Sequence, residues 1–321
     1  MRASGAERVR SAAVFADDDA ALTTPDRRAR AAGDPRARAA LDPRALAAGD
    51  SRALTARDDR AAPSSFSTID ALLMPLLHRV RLGEGGLIGM ATWAAALQSR
   101  DVVITTAVFA LTSALLAALY LYNDISDRTI DSHNPAKVPE HRAPLLRRPR
   151  LFFAIALVMH VVVALASWQL LGAWAAAWAI TLLALNPLYS GLAKRLPGVD
   201  VVIVGVMGAA VVGMGTTVSA LLLVAGGMTA ISHAFQTRGD TTADRAAGVH
   251  SSATAPAPVR ELIWLVSCAF FAWTVYRWLG APWAASVLIP YLLLSRAPHA
   301  ERAWHLARVY FAVVWVAATL R

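Results

Sequence analysis

The chain has 321 residues, a formal net charge of +9 and an isoelectric point near 10.5; 56% of its residues are hydrophobic and only 17% are charged. Beyond position 65, several segments of about 20 residues carry no charge, and that length crosses the ~30 Å hydrocarbon core of a membrane. This pattern excludes a soluble globular domain, whose helices need polar faces, and we expect no nucleic-acid partner. A single cysteine, Cys268, excludes an internal disulfide.

Residues 1–65 differ in composition from the rest of the chain. They hold twelve arginines, ten acidic residues and few large apolar side chains, and an eight-residue repeat in the frame Asp-x-Arg-Ala runs from Asp26 to Asp58. Such a segment buries too little apolar area to offset the loss of chain entropy. We therefore predict a disordered or fluctuating helical segment over 1–65, and a membrane domain over 66–321.

Other interpretations of residues 1–65 remain open. The segment lacks the apolar stretch of a signal peptide, so it is not interpreted as one. A tail that binds anionic lipid is a second possibility, although its acidic residues nearly cancel its arginines. The segment can also be upstream sequence translated from a wrongly chosen start codon, with Met74 as the true start.

Nine apolar runs follow and predict nine transmembrane helices. The stretch 199–236 is apolar throughout and is divided near Thr217, because about 38 residues are too many for one span and too few for three. The predicted fold class is all-α, a polytopic membrane helix bundle around a central cavity. The runs cover residues 84–99, 102–122, 151–170, 172–189, 199–217, 219–236, 260–279, 282–295 and 303–320.

Basic side chains concentrate in alternate connections between these runs. The connections after the second, fourth, sixth and eighth runs each carry two or more lysines or arginines. The connections between them carry at most Arg277, except that Arg100 lies beside Asp101 after the first run. The positive-inside rule then predicts that the basic connections and the N-terminus face the cytoplasm, with the C-terminus outside. We expect an integral protein of a bacterial inner membrane.

The first acidic cluster lies at the predicted cytoplasmic end of the second run. Asn123, Asp127 and Asp131 are spaced i, i+4, i+8, so on a helix they lie along one face. Asp124 is adjacent to Asn123 but lies off this stripe, and we rank it second.

The second acidic cluster follows the sixth run, where Asp240 and Asp244 repeat the i, i+4 step and His233 and Gln236 precede them. Carboxylates aligned in this way repel each other unless a cation lies between them. Mg²⁺ fits, because it takes oxygen ligands from one or two carboxylates together with phosphate oxygens. The alternative is that these are solvated acids at helix ends, paired with neighbouring arginines. Two such sets in predicted cytoplasmic connections favour the magnesium interpretation.

These two motifs resemble those of the UbiA superfamily of intramembrane prenyltransferases. Asn-Asp-x-x-Asp-x-x-x-Asp after the second helix is paired with Asp-x-x-x-Asp-Arg-x-x-Gly after the sixth, and the resemblance covers about residues 75–320. It implies that the motifs bind Mg²⁺ and the diphosphate of a polyprenyl donor. The residues implicated as catalytic are Asn123, Asp127, Asp131, Asp240 and Asp244, and the last four as metal ligands.

Two further segments resemble substrate-binding loops of that family. Asn134 to Pro144 lies where the family often has a basic Arg-Pro loop, although Leu145 and Leu146 replace its usual small residues. Tyr189 to Arg195 is similar to a diphosphate-binding loop with altered spacing. The chain has only two lysines, and both lie in these segments. The resemblance therefore implies that the substrate is bound by Lys137, Arg142, Tyr189, Lys194 and Arg195.

The implied reaction is Mg²⁺-dependent ionisation of an allylic diphosphate, followed by capture of the carbocation by a lipophilic acceptor in a water-poor cavity. The segment from Ser232 to Thr254 is similar to members that extend carotenoid chains, and the altered Arg-Pro loop differs from members that act on aromatic quinone precursors. Both favour a non-aromatic, lipid-like acceptor. A terpene cyclase and a phosphoribosyltransferase acting on polyprenyl phosphate remain alternatives within the superfamily.

A transporter or a non-catalytic membrane scaffold is the alternative from another class. Acidic residues in the middle of a span would favour a transport path. Apart from the borderline Asp200 and Glu261, which lie near run ends, no acidic residue lies in the middle of a run. The sequence therefore favours an enzyme.

Overall fold

The computed structural model describes residues 85–128, 148–296 and 300–321. All regular secondary structure in these ranges is helical, with one short 3-10 turn at Ala193–Arg195. The ten helices are α1 (Gly86–Ser99), α2 (Val102–Ser126), α3 (Pro149–Leu171), α4 (Ala173–Gly191), α5 (Val199–Gly213), α6 (Ser219–Ala246), α7 (Ala257–Leu279), α8 (Ala281–Ser286), α9 (Leu288–Arg296) and α10 (Ala300–Thr319). The predicted all-α class is confirmed, and the predicted segment 1–65 lies outside the described residues.

The predicted apolar runs fall on these helices. Within the described ranges, five helical segments are long and apolar enough to cross a membrane, and α5 is a shorter apolar helix. The eighth run is not one helix but two, since α8 and α9 are separated at Val287. Pro290 accounts for this break, because its ring lacks the N–H that would bond to Ser286 and clashes with that carbonyl. The five long segments are Val102–Ser126, Pro149–Leu171, Ala173–Arg195, Ser219–Gly239 and Ala257–Leu279.

The surfaces of the helices are those of a membrane protein. On α3, Val158, Val162 and Leu165 are all more than half exposed, whereas Phe152 and Ala156 on the same helix are buried. An apolar outer surface of this kind is stable against lipid and unfavourable in water. The protein is therefore an integral membrane helix bundle.

Tight turns join consecutive helices on the side where the sequence predicts short connections. Gly172 ends α3 with φ of 89° and Gly280 ends α7 with φ of 97°. Glycine adopts these backbone angles without the strain that a Cβ would cause. Each turn lets the next helix begin at once, so α4 follows α3, and α8 follows α7, after a single residue.

Glycines allow α5 and α6 to approach closely. A Cβ on Gly205 would lie 3.1 Å from the carbonyl oxygen of Gly226, and one on Gly208 would overlap the side chain of Thr229. Small residues at such a crossing are typical of helix packing in membranes. The close approach brings the first residues of α5 beside the middle of α6, where the candidate site lies.

Candidate active site

One cavity of about 800 Å³ lies between helices α1, α2, α4, α5, α6 and α10. This volume is typical of a small-molecule site. Part of its wall is apolar and part is strongly polar. The apolar side chains include Leu87, Met90, Trp93, Leu116, Leu119, Leu182, Val204, Met207, Val211, Met228, Phe311, Trp315 and Val316. The polar side chains include Asn123, Asp124, Asp127, Tyr189, Lys194, Ser232, His233, Gln236, Thr237, Asp244, His305 and Arg308.

The first acidic motif supplies three of the polar groups from the end of α2. Asn123, Asp124 and Asp127 all line the cavity, and Asp124 is only 6% exposed. Asn123 accepts a hydrogen bond on Oδ1 from Ser190 Oγ of α4 at 3.0 Å. Asp127 caps α2, and its backbone N–H bonds to the Asn123 carbonyl. Asp124 thus belongs to the cavity wall although it lies off the i, i+4 stripe.

A cation from the α4–α5 connection neutralises one of these acids. The 3-10 turn Ala193–Arg195 directs Lys194 into the cavity, where its Nζ lies 2.8 Å from Asp127 Oδ2. The neighbouring Arg195 is exposed and does not line the cavity. The structure therefore brings Lys194, but not Arg195, to the first motif.

The second acidic motif reaches the same cavity from α6. Asp244 is 5% exposed, lines the cavity and accepts a hydrogen bond on Oδ2 from Ser251 Oγ at 3.1 Å. Asp240 lies one turn earlier on the same helix, and its side chain is outside the described part of the structure. Asp131, Lys137 and Arg142 also lie outside the described residues.

A buried carboxylate to which the sequence pattern gives no role lies behind this wall. Asp200, at the start of α5, is 0% exposed. It accepts hydrogen bonds from the backbone N–H groups of Gly198 and Val201, at 3.0 and 2.9 Å. Ser252, in the α6–α7 connection, donates both its backbone N–H, at 3.0 Å, and its hydroxyl to the same carboxylate.

His233 connects Asp200 to the cavity. The His233 imidazole lines the cavity, and its Nε2 lies 3.8 Å from Asp200 Oδ2. The ring of Tyr189 packs edge-on against it, with the ring centroids 5.8 Å apart. The structure thus places the predicted substrate-binding residue Tyr189 in the cavity wall.

Helix α10 contributes groups that the sequence motifs do not indicate. Trp304, His305 and Arg308 line the cavity, and the Arg308 guanidinium lies 5.4 Å from the centroid of the Trp304 ring. These residues lie in an apolar run at the helical spacing that core residues also have. The sequence therefore does not distinguish them from residues of the core.

The donor set of the cavity fits Mg²⁺. Asp124 and Asp127 come from one motif and Asp244 from the other, and carboxylate oxygens are the ligands that Mg²⁺ prefers. Among the described side chains no three His, Cys, Asp or Glu groups form a complete metal cluster. Incomplete protein cages are usual for Mg²⁺, because phosphate oxygens and water fill its remaining positions.

Fold and site together define a class of protein. It is an integral membrane protein whose cavity has an acidic end, which also carries a lysine, and an extensive apolar wall. Such a cavity suits a substrate with a metal-bound anionic head and a hydrocarbon chain. The UbiA prenyltransferase family matches residues 86–313, and the chain belongs to this family. It is a membrane prenyltransferase. Comparison with curated proteins gives no match, and neither does comparison with solved structures.

Proposed function

We propose that the protein transfers a polyprenyl group from its diphosphate to a lipophilic acceptor in a Mg²⁺-dependent reaction. The observation that carries the proposal is that carboxylates of both acidic motifs line one cavity, and that this cavity also has an extensive apolar wall. A prenyl diphosphate has the same division, a charged head and a hydrocarbon chain. A transport path for ions is typically marked by ionisable groups within the spans.

The head of the donor would lie at the acidic end. Asp127, Asp131, Asp240 and Asp244 would hold Mg²⁺, with Asn123 as a neutral oxygen donor beside them. When bound, Mg²⁺ supplies positive charge that offsets the charge developing on the diphosphate leaving group. Asp124, buried in the same wall, is an additional ligand candidate.

Cationic side chains would share the work of binding the diphosphate. Lys194 is paired with Asp127 at 2.8 Å, and a diphosphate bound there would accept hydrogen bonds from the same ammonium group. Tyr189 lines the cavity one turn before the 3-10 segment. Lys137, Arg142 and Arg195 complete the set proposed from the family resemblance.

The apolar end would hold the hydrocarbon chain and exclude water. An allylic carbocation reacts with water at once, so transfer to an acceptor requires a cavity without free water near the reacting carbon. Leu116 and Leu119 of α2, Met207 of α5 and Met228 of α6 provide such a wall.

The acceptor we propose is a non-aromatic, alkene-bearing lipid such as a carotenoid. This rests on the segment from Ser232 to Thr254 and on the altered Arg-Pro loop. Cyclisation of the donor, or phosphoribosyl transfer to a polyprenyl phosphate, would use the same acidic end. We also propose that the acidic motifs face the cytoplasm of a bacterial inner membrane, and that residues 1–65 form a segment separate from the membrane domain.

The test is release of pyrophosphate by membranes that contain the protein. Dimethylallyl, farnesyl and geranylgeranyl diphosphate would be supplied with and without Mg²⁺, and lipid products identified by mass spectrometry with lycopene or an aromatic acid as acceptor. We expect Mg²⁺-dependent release and a prenylated lycopene. A cyclic hydrocarbon formed without any acceptor would indicate a cyclase. No release from any donor would contradict the proposed donor class and favour a transporter or scaffold.

A further inference from the structure

The pair formed by Asp200 and His233 has no place in the diphosphate site described above. His233 is 6% exposed and faces the cavity, while Asp200 is fully buried behind it. A fully buried carboxylate is energetically costly unless it is paired and hydrogen-bonded. The question is what chemistry an imidazole backed by a carboxylate performs at this position.

The carboxylate is held in place independently of His233. Three backbone N–H groups and one hydroxyl donate to Asp200, from the α4–α5 connection, α5 and the α6–α7 connection. The Nε2 atom of His233 has no hydrogen-bond partner among the described residues, and its distance of 3.8 Å to Asp200 is too long for one. Such contacts in unliganded enzymes often tighten only when substrate binds. A fixed carboxylate beside a buried imidazole stabilises the imidazolium that forms when the imidazole accepts a proton.

His233 lies at the junction between the polar and apolar parts of the cavity. It precedes Asp240 by seven residues on α6, which places it roughly 10 Å further along the helix axis at 1.5 Å per residue. Met228 and Thr229 line the cavity about one turn beyond it, and Gln236 lines it on the other side. With the diphosphate at the acidic motifs as proposed above, His233 would face the part of the cavity that the hydrocarbon chains of donor and acceptor occupy.

We propose that His233 is the general base that removes a proton after prenyl transfer, and that Asp200 is a positioning residue for it. The inference rests on the proposed function. The π electrons of an acceptor alkene form a bond to C1 of the prenyl group as the C1–O bond to diphosphate breaks, which leaves a tertiary cation on the acceptor. A neighbouring C–H bond then breaks, its electron pair forms a new C=C bond, and the proton passes to a ring nitrogen of His233. Water at the polar end takes the proton afterwards.

The experiment compares the products of variants in the full chain. His233→Gln and His233→Phe both remove the basic nitrogen; the first keeps a polar side chain and the second keeps an aromatic ring. Asp200→Asn removes the charge behind it. His160→Gln is the matched control, because His160 is also a buried helical histidine but does not line the cavity. Each protein is assayed in membranes with the three prenyl diphosphates and lycopene, and pyrophosphate release and lipid products are measured separately.

The informative quantity is the ratio of alkene product to hydroxylated product. Without a base the acceptor cation persists until water captures it, which gives a product heavier by one water molecule. We expect both His233 variants to lower this ratio at least tenfold, since general bases contribute about 10²–10⁴ in rate, while pyrophosphate release falls less. Asp200→Asn should lower the ratio by a smaller factor, and His160→Gln should leave it unchanged. Purely structural damage would lower both products in parallel.

Several outcomes would overturn the inference. An unchanged ratio in inserted His233→Gln or His233→Phe would show that another base, such as the released diphosphate, takes the proton. Failure of both variants to insert, while His160→Gln inserts, would assign His233 to folding instead. Release of pyrophosphate by the wild-type protein without transfer to lycopene would contradict the alkene-acceptor chemistry on which the inference depends. No release at all would contradict the proposed function itself.

Discussion

The two ends of the cavity are built from the same helices but by different means. At the acidic end, two carboxylates are held by directional contacts: Asp127 pairs with Lys194, and Asp244 accepts a hydrogen bond from Ser251. At the apolar end, Leu116, Leu182 and Val211 are packed as part of a hydrophobic core, and no directional bond fixes them. The acidic end is therefore specified by individual atoms, and the apolar end by volume and shape.

This difference separates two kinds of function along one helix. On α6, Met228 lies in the apolar part of the wall, His233 at the junction and Asp244 at the acidic end. Charge at the acidic end controls whether the donor ionises, since preorganised charge is usually the largest contribution to catalysis. Volume at the apolar end controls which hydrocarbon chain fits. One methylene in such a pocket changes the discrimination between substrates by only about 1–3 kcal/mol. Substitutions at the two ends should therefore affect different measurements.

The largest effect is expected at the acidic end, for Asp127→Asn and Asp240→Asn. Each amide keeps the size of the side chain and an oxygen but loses the charge on which Mg²⁺ binding depends. Pyrophosphate release should fall at least about a hundredfold, as when one preorganised electrostatic group is removed from an active site. The measurement is pyrophosphate release against Mg²⁺ concentration.

Asp101→Asn is the matched control for these two variants. Asp101 caps the other end of α2, is exposed, and accepts from the backbone N–H of Val103 at 2.7 Å. Asparagine is an equally good N-cap, so this variant should behave as wild type. Near wild-type release in both Asp127→Asn and Asp240→Asn would end the assignment of the acidic end as the catalytic end.

The next effect is expected for Lys194, which pairs with Asp127. Lys194→Met should lower pyrophosphate release about tenfold, less than loss of a metal-binding carboxylate, because the leaving-group charge is shared with other cations. Arg195→Gln should have a smaller effect, since Arg195 is exposed and does not line the cavity. If Arg195→Gln is the more damaging variant, the 3-10 turn presents the other cation to the substrate.

A smaller and different effect is expected at the apolar end. Met207→Trp would reduce the volume there, and should lower kcat/KM for geranylgeranyl diphosphate relative to dimethylallyl diphosphate at least about tenfold, the lower end of what one methylene is worth in a hydrophobic pocket. Val206→Trp is the control, because Val206 is on the same helix, is exposed, and does not line the cavity. An unchanged preference in Met207→Trp would mean that the hydrocarbon chain follows another route.

The fold was predictable because a membrane imposes a length on each apolar helix. Hydropathy therefore located the helices, and the short connections at Gly172 and Gly280 followed from the gaps between runs. The break at Val287 was not predicted, because the run is apolar on both sides and hydropathy does not register the backbone effect of Pro290.

The candidate site was predictable where its residues follow a helical spacing. Asn123, Asp127 and Asp244 were indicated by the i, i+4 pattern, and all three line the cavity. Asp200 was not indicated by any spacing, because its partner Ser252 is 52 residues further along the chain. Ser252 reaches Asp200 only because the α6–α7 connection returns over the start of α5. Spacing along a sequence carries no information about such a contact.

The smallest effect is expected for removal of residues 1–65. Every described residue that lines the cavity lies between Gly86 and Val316, and the family match begins at residue 86. A chain starting at Phe66 behind an initiating methionine should therefore insert and release pyrophosphate at close to the wild-type rate, because the composition of residues 1–65 predicts no hydrophobic core whose packing would be lost. Membrane insertion is measured by fractionation and activity by the same Mg²⁺-dependent assay. Loss of insertion would show that the segment belongs to the membrane domain. Normal insertion with lost activity would show that the segment is needed for catalysis at the acidic end.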